Sequence, residues 1–186
     1  MKLNSIIIGL LFLMTIVSCK NEEKNETSDA TTVVTEKPEL NKNIFTITLN
    51  AVVKKNDSFQ LYYKNEDAGA FEEKNSFFIE FKGSEQQQDI VFRLPEDEVP
   101  NYFRLDFGTN KEQSTIEIKN VRLDYLDKKV EIKGADFFNY FYANPLTSVI
   151  DAKLGTLTPI VTKEGNYDPM CASAEGLRLQ ILTLIK

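Results

Sequence analysis

The sequence predicts that residues 44–186 form one all-β domain, an antiparallel β-sandwich with about eight strands and one short helix. Two observations favour this class. Apolar and polar residues alternate in short runs, and turn-forming residues separate these runs roughly every eight to twelve positions. Many of the apolar positions are Phe or Tyr, which predicts a single aromatic core between two sheets and, more narrowly, a jelly-roll-like winding.

The first run, IFTITLNAVVK (44–54), sets the pattern, with Phe45, Ile47 and Leu49 on one face and Thr46 and Thr48 on the other. Similar runs are FQLYYK (59–64), SFFIEFKG (76–83), DIVFRLP (89–95), YFRLDFG (102–108), TIEIKNVRLDY (115–125) and KVEIKG (129–134). In the run at 115–125 the alternation slips by one residue at Lys119-Asn120, which predicts a β-bulge.

Two segments depart from this pattern. GADFFNYFYANP (134–145) predicts one or two helical turns over residues 136–142, with Asp136 as N-cap and with Phe137 and Phe141 on one face that plugs an end of the sheets. Asn144-Pro145 ends these turns. Near the C-terminus, residues 177–185 alternate as a closing strand would, but their apolar spacing also fits an amphipathic helix.

The N-terminus reads SIIIGLLFLMTIVSC and then turns abruptly polar. Its apolar core is too short for a membrane span of roughly 20 residues, but it has the length and flanks of a secretory signal. The ending Ile16-Val17-Ser18-Cys19 resembles the lipobox of bacterial lipoproteins. That resemblance implies a signal peptide over residues 1–18, cleavage before Cys19, and acylation of Cys19. A short buried N-terminal helix is the alternative.

The resemblance also implies a location. Lys20 follows the cysteine, where Asp would suggest retention at the inner membrane, so a lipid-anchored position at the outer membrane is expected. The short charged stretch at 20–23 is similar to signals that send some lipoproteins to the cell surface. Several acyl chains, each worth ~0.8 kcal/mol per buried CH₂, would hold the chain on the membrane.

The composition of the remaining chain limits its partners. Residues 19–43 are rich in Glu, Lys, Asn and Thr, and predict a disordered tether after the lipidated Cys19. Without Lys2, the chain has 21 Lys and Arg against 28 Asp and Glu, a net charge of −7. Nucleic acid is therefore not an expected partner, because it requires basic patches. Cys171 is expected to be a small buried hydrophobe.

The sequence offers little catalytic chemistry, so no enzyme activity is expected. It contains no His, which excludes Ser-His-Asp and Cys-His catalysis and His-ligated zinc. A glycoside hydrolase that uses paired carboxylates is the third hypothesis for the function, ranked after glycan binding and protein interaction. Its candidate carboxylates are Glu80, Asp106, Glu117 and Asp124. The more ordinary interpretation of these acids is that they face solvent on half-buried strands.

Sugar recognition requires aromatic rings flanked by hydrogen-bonding side chains. Tyr62, Phe78, Tyr102 and Arg104 lie opposite the predicted core positions and are the candidate ligand-binding residues. Tyr62 and Phe78 would form an exposed or second-layer patch. The alternative is that they belong to an inner sheet covered by the helix at 136–142. The absence of Trp weakens the sugar interpretation.

No cofactor is expected, apart from a structural calcium ion as one option. Loops of β-sandwiches often bind calcium through oxygen ligands, and Asn65, Asp67, Asp106 and Asn110 supply such atoms. These residues do not have EF-hand spacing, and loops of this composition are usually solvated turns.

The runs DSFQLYYK, VFRLP and YFRLDFGTNKEQSTIEIKNVRLDY are together similar to jelly-roll modules related to galactose-binding-like and carbohydrate-binding domains. The similarity covers residues 45–125. It implies non-catalytic binding of a carbohydrate or cell-envelope glycan. The competing expectation is a protein-interaction or structural subunit of an envelope complex.

The lipobox interpretation makes a direct prediction. Cys19→Ala should abolish incorporation of labelled fatty acid and leave an uncleaved precursor, because both processing steps act at the cysteine. Labelling and gel mobility measure the two effects. Unchanged labelling would overturn the predicted anchor.

Overall fold

The computed structural model describes residues 42–186, and these contain eleven strands arranged in two antiparallel sheets. The strands are β1 (Thr46–Val52), β2 (Asp57–Lys64), β3 (Ser76–Phe81), β4 (Gln88–Arg93), β5 (Tyr102–Asp106), β6 (Ile116–Tyr125), β7 (Lys128–Lys133), β8 (Phe141–Ala143), β9 (Ser148–Asp151), β10 (Thr156–Pro159) and β11 (Met170–Ser173). The predicted β-sandwich is confirmed.

The first sheet has the order β4-β1-β6-β10-β9, and β7 pairs with β6 as well. The second sheet has the order β3-β2-β5-β11-β8. Before β6 the chain passes from one sheet to the other four times, after β1, β3, β4 and β5. The narrower jelly-roll assignment stays a prediction.

The core lies between the sheets, where the alternating residues meet. All five apolar residues that the pattern of β1 predicts to point inward are fully buried, namely Phe45, Ile47, Leu49, Ala51 and Val53. Phe59 of β2 packs edge-to-face on both Phe81 and Phe107, with ring centroids 4.7 and 5.3 Å apart. Such contacts between aromatic rings add to the burial of their large apolar surface.

The predicted bulge in β6 is present. Asn50 of β1 pairs with Asn120, and the next residue, Ala51, pairs with Ile118. Lys119 is therefore left without a partner on β1, as the slipped alternation predicted.

The helical turn after β7 is shorter than the predicted span of 136–142. A 3-10 turn at Gly134–Asp136 leads into α1 (Phe137–Tyr140), and Phe141 already begins β8. Asp136 occupies the N-cap position, but its side chain makes no capping hydrogen bond. The rings of Phe137 and Phe141 stack with centroids 4.2 Å apart, and both are buried, as expected.

The C-terminal segment is a helix, α2 (Glu175–Leu184), so the strand interpretation of residues 177–185 is wrong. Leu177, Ile181 and Leu184 are buried, whereas Leu179 is exposed, which follows the helical period and not the period of a strand. Neither this helix nor any other helix within residues 42–186 has the length and apolarity needed to cross a membrane.

The chain between α1 and α2 forms four short strands, β8 to β11, that the sequence did not predict. Each has only three or four residues, too few to display an alternating pattern. Cys171 lies in the middle of β11 and is fully buried, so its expected role as a small core residue is confirmed. Burial and the nearby Asp106 raise the pKa of its thiol strongly.

The predictions for the N-terminus, which are the signal peptide at 1–18, lipidation of Cys19 and the tether at 19–43, concern residues that lie outside the described part, apart from the last two residues of the tether.

Candidate functional site

The outer face of the second sheet carries rows of polar and aromatic side chains. Residues directly opposite each other on paired strands share a face, so the register of β2, β3, β5, β11 and β8 defines these rows. One row contains Ser76, Tyr62, Arg104, Ala172 and Tyr142, and the next contains Phe78, Gln60, Asp106 and Met170. Three of the four predicted ligand-binding residues, Tyr62, Phe78 and Arg104, therefore lie in neighbouring rows.

Arg104 holds the centre of this face. Its guanidinium carbon lies 4.1 Å from the centroid of the Tyr62 ring, a cation–π contact. The same guanidinium donates two hydrogen bonds to Asp106, of 2.7 Å from Nε and 2.6 Å from Nη2. This bidentate geometry fixes the planes of both groups.

Tyr62 is covered and does not form an exposed platform. Only 8 % of its surface is accessible, because Arg104 lies on its ring and its hydroxyl donates a 2.5 Å hydrogen bond to Glu73. Burial, followed by the hydrogen bond to Glu73, raises the pKa of Tyr62, and the same bond is the main reason why the pKa of Glu73 is lowered. Gln60 also donates to Glu73, at 2.9 Å.

The interpretation that Tyr62 and Phe78 lie on an inner sheet beneath the helical turn is wrong. Phe78 is 52 % exposed on the outer face. The helical turn α1 packs instead against β6, β8 and α2.

Asp106 is the most buried carboxylate of this face. Burial raises its pKa, and the charges of Asp168 and Glu73 add to that effect, while the hydrogen bonds from Arg104 oppose it. The guanidinium of Arg104 thus favours the charged form of this carboxylate, whereas its burial disfavours that form.

An open groove of about 680 Å³ crosses the end of the sheet where β2 begins and β3 ends. It is lined by Asn56, Asp57, Ser58, Glu80, Phe81, Lys82, Thr109 and Asn110. Within residues 42–186, neither the carboxylate of Glu80 nor the ammonium of Lys82 has a hydrogen-bond or ion-pair partner, and both side chains are exposed. These two groups are therefore free to bind a ligand.

A smaller cavity of about 100 Å³ adjoins this groove, because Ser58 and Thr109 line both. Its other lining residues are Gln60, Phe78, Asp106, Gly108, Tyr167, Asp168 and Pro169. The hydroxyl of Tyr167 donates to the carbonyl of Asn110 at 2.8 Å, and burial raises the pKa of this phenol to about 12. The open polar groove thus adjoins a smaller cavity that is lined by aromatic and acidic side chains.

Asp57 shapes the boundary between groove and cavity. Its Oδ1 accepts hydrogen bonds from the backbone N–H groups of Ser58, Thr109 and Asn110, at 2.9, 3.0 and 3.3 Å. Its Oδ2 accepts a bond of 3.1 Å from Gln113. This one carboxylate joins the start of β2 to the loop that follows β5.

Gly108 is needed beside Asp57 for two reasons. Its φ of +92° lies in the region that side chains disfavour, and a Cβ at this position would lie 2.3 Å from the carboxylate carbon of Asp57.

Tyr102, the fourth predicted ligand-binding residue, lies on the same face but away from the groove. Its hydroxyl donates a 2.5 Å hydrogen bond to Glu175 of α2, and Lys64 lies 5.3 Å from its ring centroid. Its position supports the attachment of α2 to the sheet.

The four predicted calcium ligands are separated. Asn65 and Asp67 follow β2, at the end of the sheet where β5 begins; Asn65 donates a hydrogen bond to Glu98, and Asp67 forms an ion pair with Arg178. Asp106 and Asn110 lie at the other end of β5. In the described part of the chain, no three acidic or Cys side chains form a group that could hold a metal ion.

The candidate carboxylates for glycoside hydrolysis are also divided. Glu80 and Asp106 belong to the second sheet, and Glu117 and Asp124 belong to β6 of the first. Three of the four are ion-paired, with Arg104, Lys119 and Arg122 as partners.

Sequence reasoning did not identify Asp57, Glu73, Tyr167 or Asp168 as part of this site. Asp57 had one visible signal, since the stretch KNDS was a predicted turn and Asp side chains in turns often bond nearby backbone N–H groups. Tyr167 and Asp168 lie in the loop before β11, and Glu73 begins a 3-10 turn, Glu73–Asn75, directly before β3. The alternating pattern of the sequence does not specify the course of either segment.

Comparison of the chain with models of protein families, with curated proteins and with solved structures gave no match in any of the three. The fold and the geometry of the site therefore define this domain as an antiparallel β-sandwich with a polar groove at one end of its second sheet.

The network around Arg104 makes a prediction about stability. A double-mutant cycle of Arg104→Ala and Asp106→Ala should give a coupling free energy of ~1–2 kcal/mol by urea unfolding, because the pair is bidentate and largely shielded from water. The matched control is Arg122 and Asp124 on β6, which have the same spacing but are more exposed, with 39 % and 23 % of their side chains accessible. Their coupling should be ~0.2–1 kcal/mol. Equal coupling in the two cycles would contradict the central role of Arg104.

Proposed function

We propose that this domain binds a carbohydrate or cell-envelope glycan at the groove without catalysing a reaction, as part of a lipoprotein that is anchored in the outer membrane through Cys19. The observation that carries the proposal is the chemistry of the groove lining. Phe78 supplies an exposed aromatic ring at the inner cavity, and Asn, Asp, Ser, Thr, Glu and Lys side chains line the groove beside it, whereas the ring of Phe81 packs on core Phe59. A hydroxyl-rich ring requires this combination of one apolar face and many polar edges.

The exposure of Phe78 supports the same conclusion. About half of its surface is accessible at the mouth of the inner cavity, next to Gln60 and Asp106 in its own row. An exposed aromatic ring beside an amide and a carboxylate can stack on a pyranose while the polar groups bind its hydroxyls. Phe78 therefore takes the role that the sequence assigned to both Tyr62 and Phe78.

The position of the groove suits a tethered protein. Lys42, the first described residue, accepts a hydrogen bond at its carbonyl from the N–H of Leu126 and ion-pairs with Asp127, near the start of β1. Asn56 and Asp57 follow the other end of β1, which spans ~20 Å. A tether at residues 19–43 would thus attach at the end of the sandwich opposite the groove.

The pairing of the acidic groups supports a binding function over hydrolysis. A glycoside hydrolase requires two facing carboxylates, one of which carries a proton. In the second sheet Asp106 is held by Arg104, and Glu80 is exposed at the edge of the groove. Neither arrangement supplies a general acid opposite a nucleophile.

A glycan-array screen of the chain from residue 19 onward, carrying Cys19→Ser to prevent acylation, tests this function. We expect saturable binding that Phe78→Ala weakens by at least about tenfold, or ~1.4 kcal/mol. Tyr142→Ala is the matched control, because Tyr142 is an exposed aromatic residue on the same sheet face that does not line the groove. Its affinity should stay within about twofold of the parent value.

The screen should be repeated with calcium and with a chelator. Loss of binding with the chelator would indicate that a calcium ion takes part in glycan binding. An array without any binding, or an equal loss of affinity in Phe78→Ala and Tyr142→Ala, would contradict the proposed glycan site.

A further inference from the structure

The cavity beside the groove has room for one substituent of a ligand. Its volume is about 100 Å³, against about 680 Å³ for the groove. Phe78 lines this cavity and is 52 % exposed. A sugar ring that stacks on Phe78 would therefore place one of its substituents at the cavity, and the lining of the cavity selects which substituent is bound.

Gln60 presents an acceptor atom to this cavity. Its side chain is 7 % exposed, and its Nε2 donates to Glu73 at 2.9 Å and to Ser76 at 2.8 Å. Because an ionised carboxylate only accepts, the bond to Glu73 fixes the orientation of the amide. Neither Glu73 nor Ser76 lines the cavity, so the atom that Gln60 turns toward it is the carbonyl oxygen, Oε1. This oxygen has no hydrogen-bond partner within residues 42–186. A donor on the ligand would satisfy it.

Two carboxylates add further acceptors. Asp106 accepts two hydrogen bonds from Arg104, and the exposed carboxylate of Asp168 has no hydrogen-bond or ion-pair partner within residues 42–186. Burial raises the pKa of Asp106, and the negative charge of Asp168 adds to that rise. The two carboxylates are thus close enough to repel each other, and a cation bound between them would replace this repulsion with attraction.

The hydroxyl of Tyr167 is another acceptor of the cavity. It donates to the carbonyl of Asn110 at 2.8 Å, so its oxygen can only accept a second hydrogen bond. The hydroxyls of Ser58 and Thr109 lie at the boundary with the groove, since both residues line it as well. Away from that boundary, the side chains that line the cavity in the described part of the chain thus offer acceptors and no free donor.

The charged side chains around the groove and the cavity are mainly acidic. Four acidic residues and one basic residue line the two, namely Asp57, Glu80, Asp106, Asp168 and Lys82. The acidic groups remain in excess when Arg104, the partner of Asp106, is counted with Lys82. Lys82 lines the groove and not the cavity. A cleft with an excess of one charge attracts ligands of the opposite charge, so this site favours a cationic substituent over an anionic one.

We propose that the cavity binds the ammonium group of an amino sugar, so that the glycan of the proposed function, on which this inference rests, carries a free amine. An ammonium group has three donors and no acceptor, which matches Gln60, Asp106 and Asp168. A hydroxyl group has one donor and no charge. An acetamido group brings a carbonyl oxygen that would face the acceptors of the cavity, and a carboxylate or phosphate group would be repelled.

Calorimetric titration of the full-length, detergent-solubilised protein tests the proposal with three β-1,4-linked hexamers that differ only at carbon 2. They are the hexamers of glucosamine, N-acetylglucosamine and glucose, in a slightly acidic buffer that keeps the amines protonated. The glucosamine hexamer should bind at least about tenfold more tightly than either of the others, or ~1.4 kcal/mol. Hexalysine, which has ammonium groups without sugar rings, controls for charge attraction alone and should bind at least about tenfold more weakly than the glucosamine hexamer.

Asp168→Asn tests the role of the cavity. The variant removes one negative charge, and the main-chain carbonyl at this position can still accept the hydrogen bonds of Asn144 and Thr147. Its affinity for the glucosamine hexamer should fall about tenfold, because a bond to a charged acceptor is lost, while its affinity for the glucose hexamer should change by less than about twofold. Asp136→Asn is the matched control, since Asp136 is exposed and lines neither the groove nor the cavity.

Equal affinities for the three hexamers, equally tight binding of hexalysine, or equal effects of the two Asn variants would each overturn the amine site. Absence of binding by the glucosamine hexamer would overturn it as well. The proposed glycan function fails separately, when the glycan array shows no binding at all. Binding of the N-acetylglucosamine or glucose hexamer that Phe78→Ala weakens would support that function while the amine site is overturned.

Discussion

The carboxylate of Asp57 is the constraint on which the shape of the site depends. It lies at the first residue of β2 and accepts the backbone N–H groups of Thr109 and Asn110, which belong to the loop after β5. Hydrogen bonds to a charged acceptor are stronger than neutral ones, so this contact fixes the loop against the sheet. Thr109 lines both the groove and the cavity, and therefore both depend on the same carboxylate. Gly108 leaves the space that the carboxylate fills.

Next to this fixed loop, the outer face divides into groups that hold the structure and groups that remain available. Arg104 satisfies Asp106 and covers Tyr62, and Glu73 receives the hydroxyl of Tyr62. These polar groups are bonded to one another, and Tyr62, Arg104 and Asp106 are largely shielded from water, whereas Glu73 is exposed. Phe78, Glu80 and Lys82 lie outside this network. The hydrogen-bonded network around Arg104 thus stabilises the sheet face, and the proposed ligand would contact Phe78, Glu80 and Lys82 beside it.

The sequence predicted the fold correctly in segments that were long enough to show an alternating or helical pattern of apolar residues. The alternation over residues 45–53 identified five fully buried core residues, although Val52 on the opposite face is buried as well. The slip at Lys119 located the bulge, because a bulge shifts a two-residue repeat by one position. The strands β8 to β11 are too short to show that repeat. Residues 177–185 satisfied both periods, and only packing of Leu177 and Ile181 against the core distinguishes helix from strand.

The site was predictable only in part for a related reason. Strand alternation assigned Tyr62, Phe78 and Arg104 to the outer face, but not the fact that Arg104 would cover Tyr62, which depends on the register between β2 and β5. Asp168 and Tyr167 reach the cavity from a loop. The same limit explains the calcium prediction, since loops that are similar in composition lie at opposite ends of β5.

Hydrogen exchange of the amides in Asp57→Ala tests the central claim most directly. The amides of Thr109 and Asn110 should exchange roughly ten- to hundredfold faster, because each loses a bond to a charged acceptor worth ~1.5–3 kcal/mol. The amides of β1 should keep their protection, which shows that the sandwich remains folded. Asp89→Ala is the control, since Asp89 lies in the first sheet, away from the groove, and accepts a hydrogen bond only from the side chain of Asn50 in the same sheet. Unchanged protection at Thr109 and Asn110 would show that Asp57 does not hold the loop, and would contradict this account of the groove.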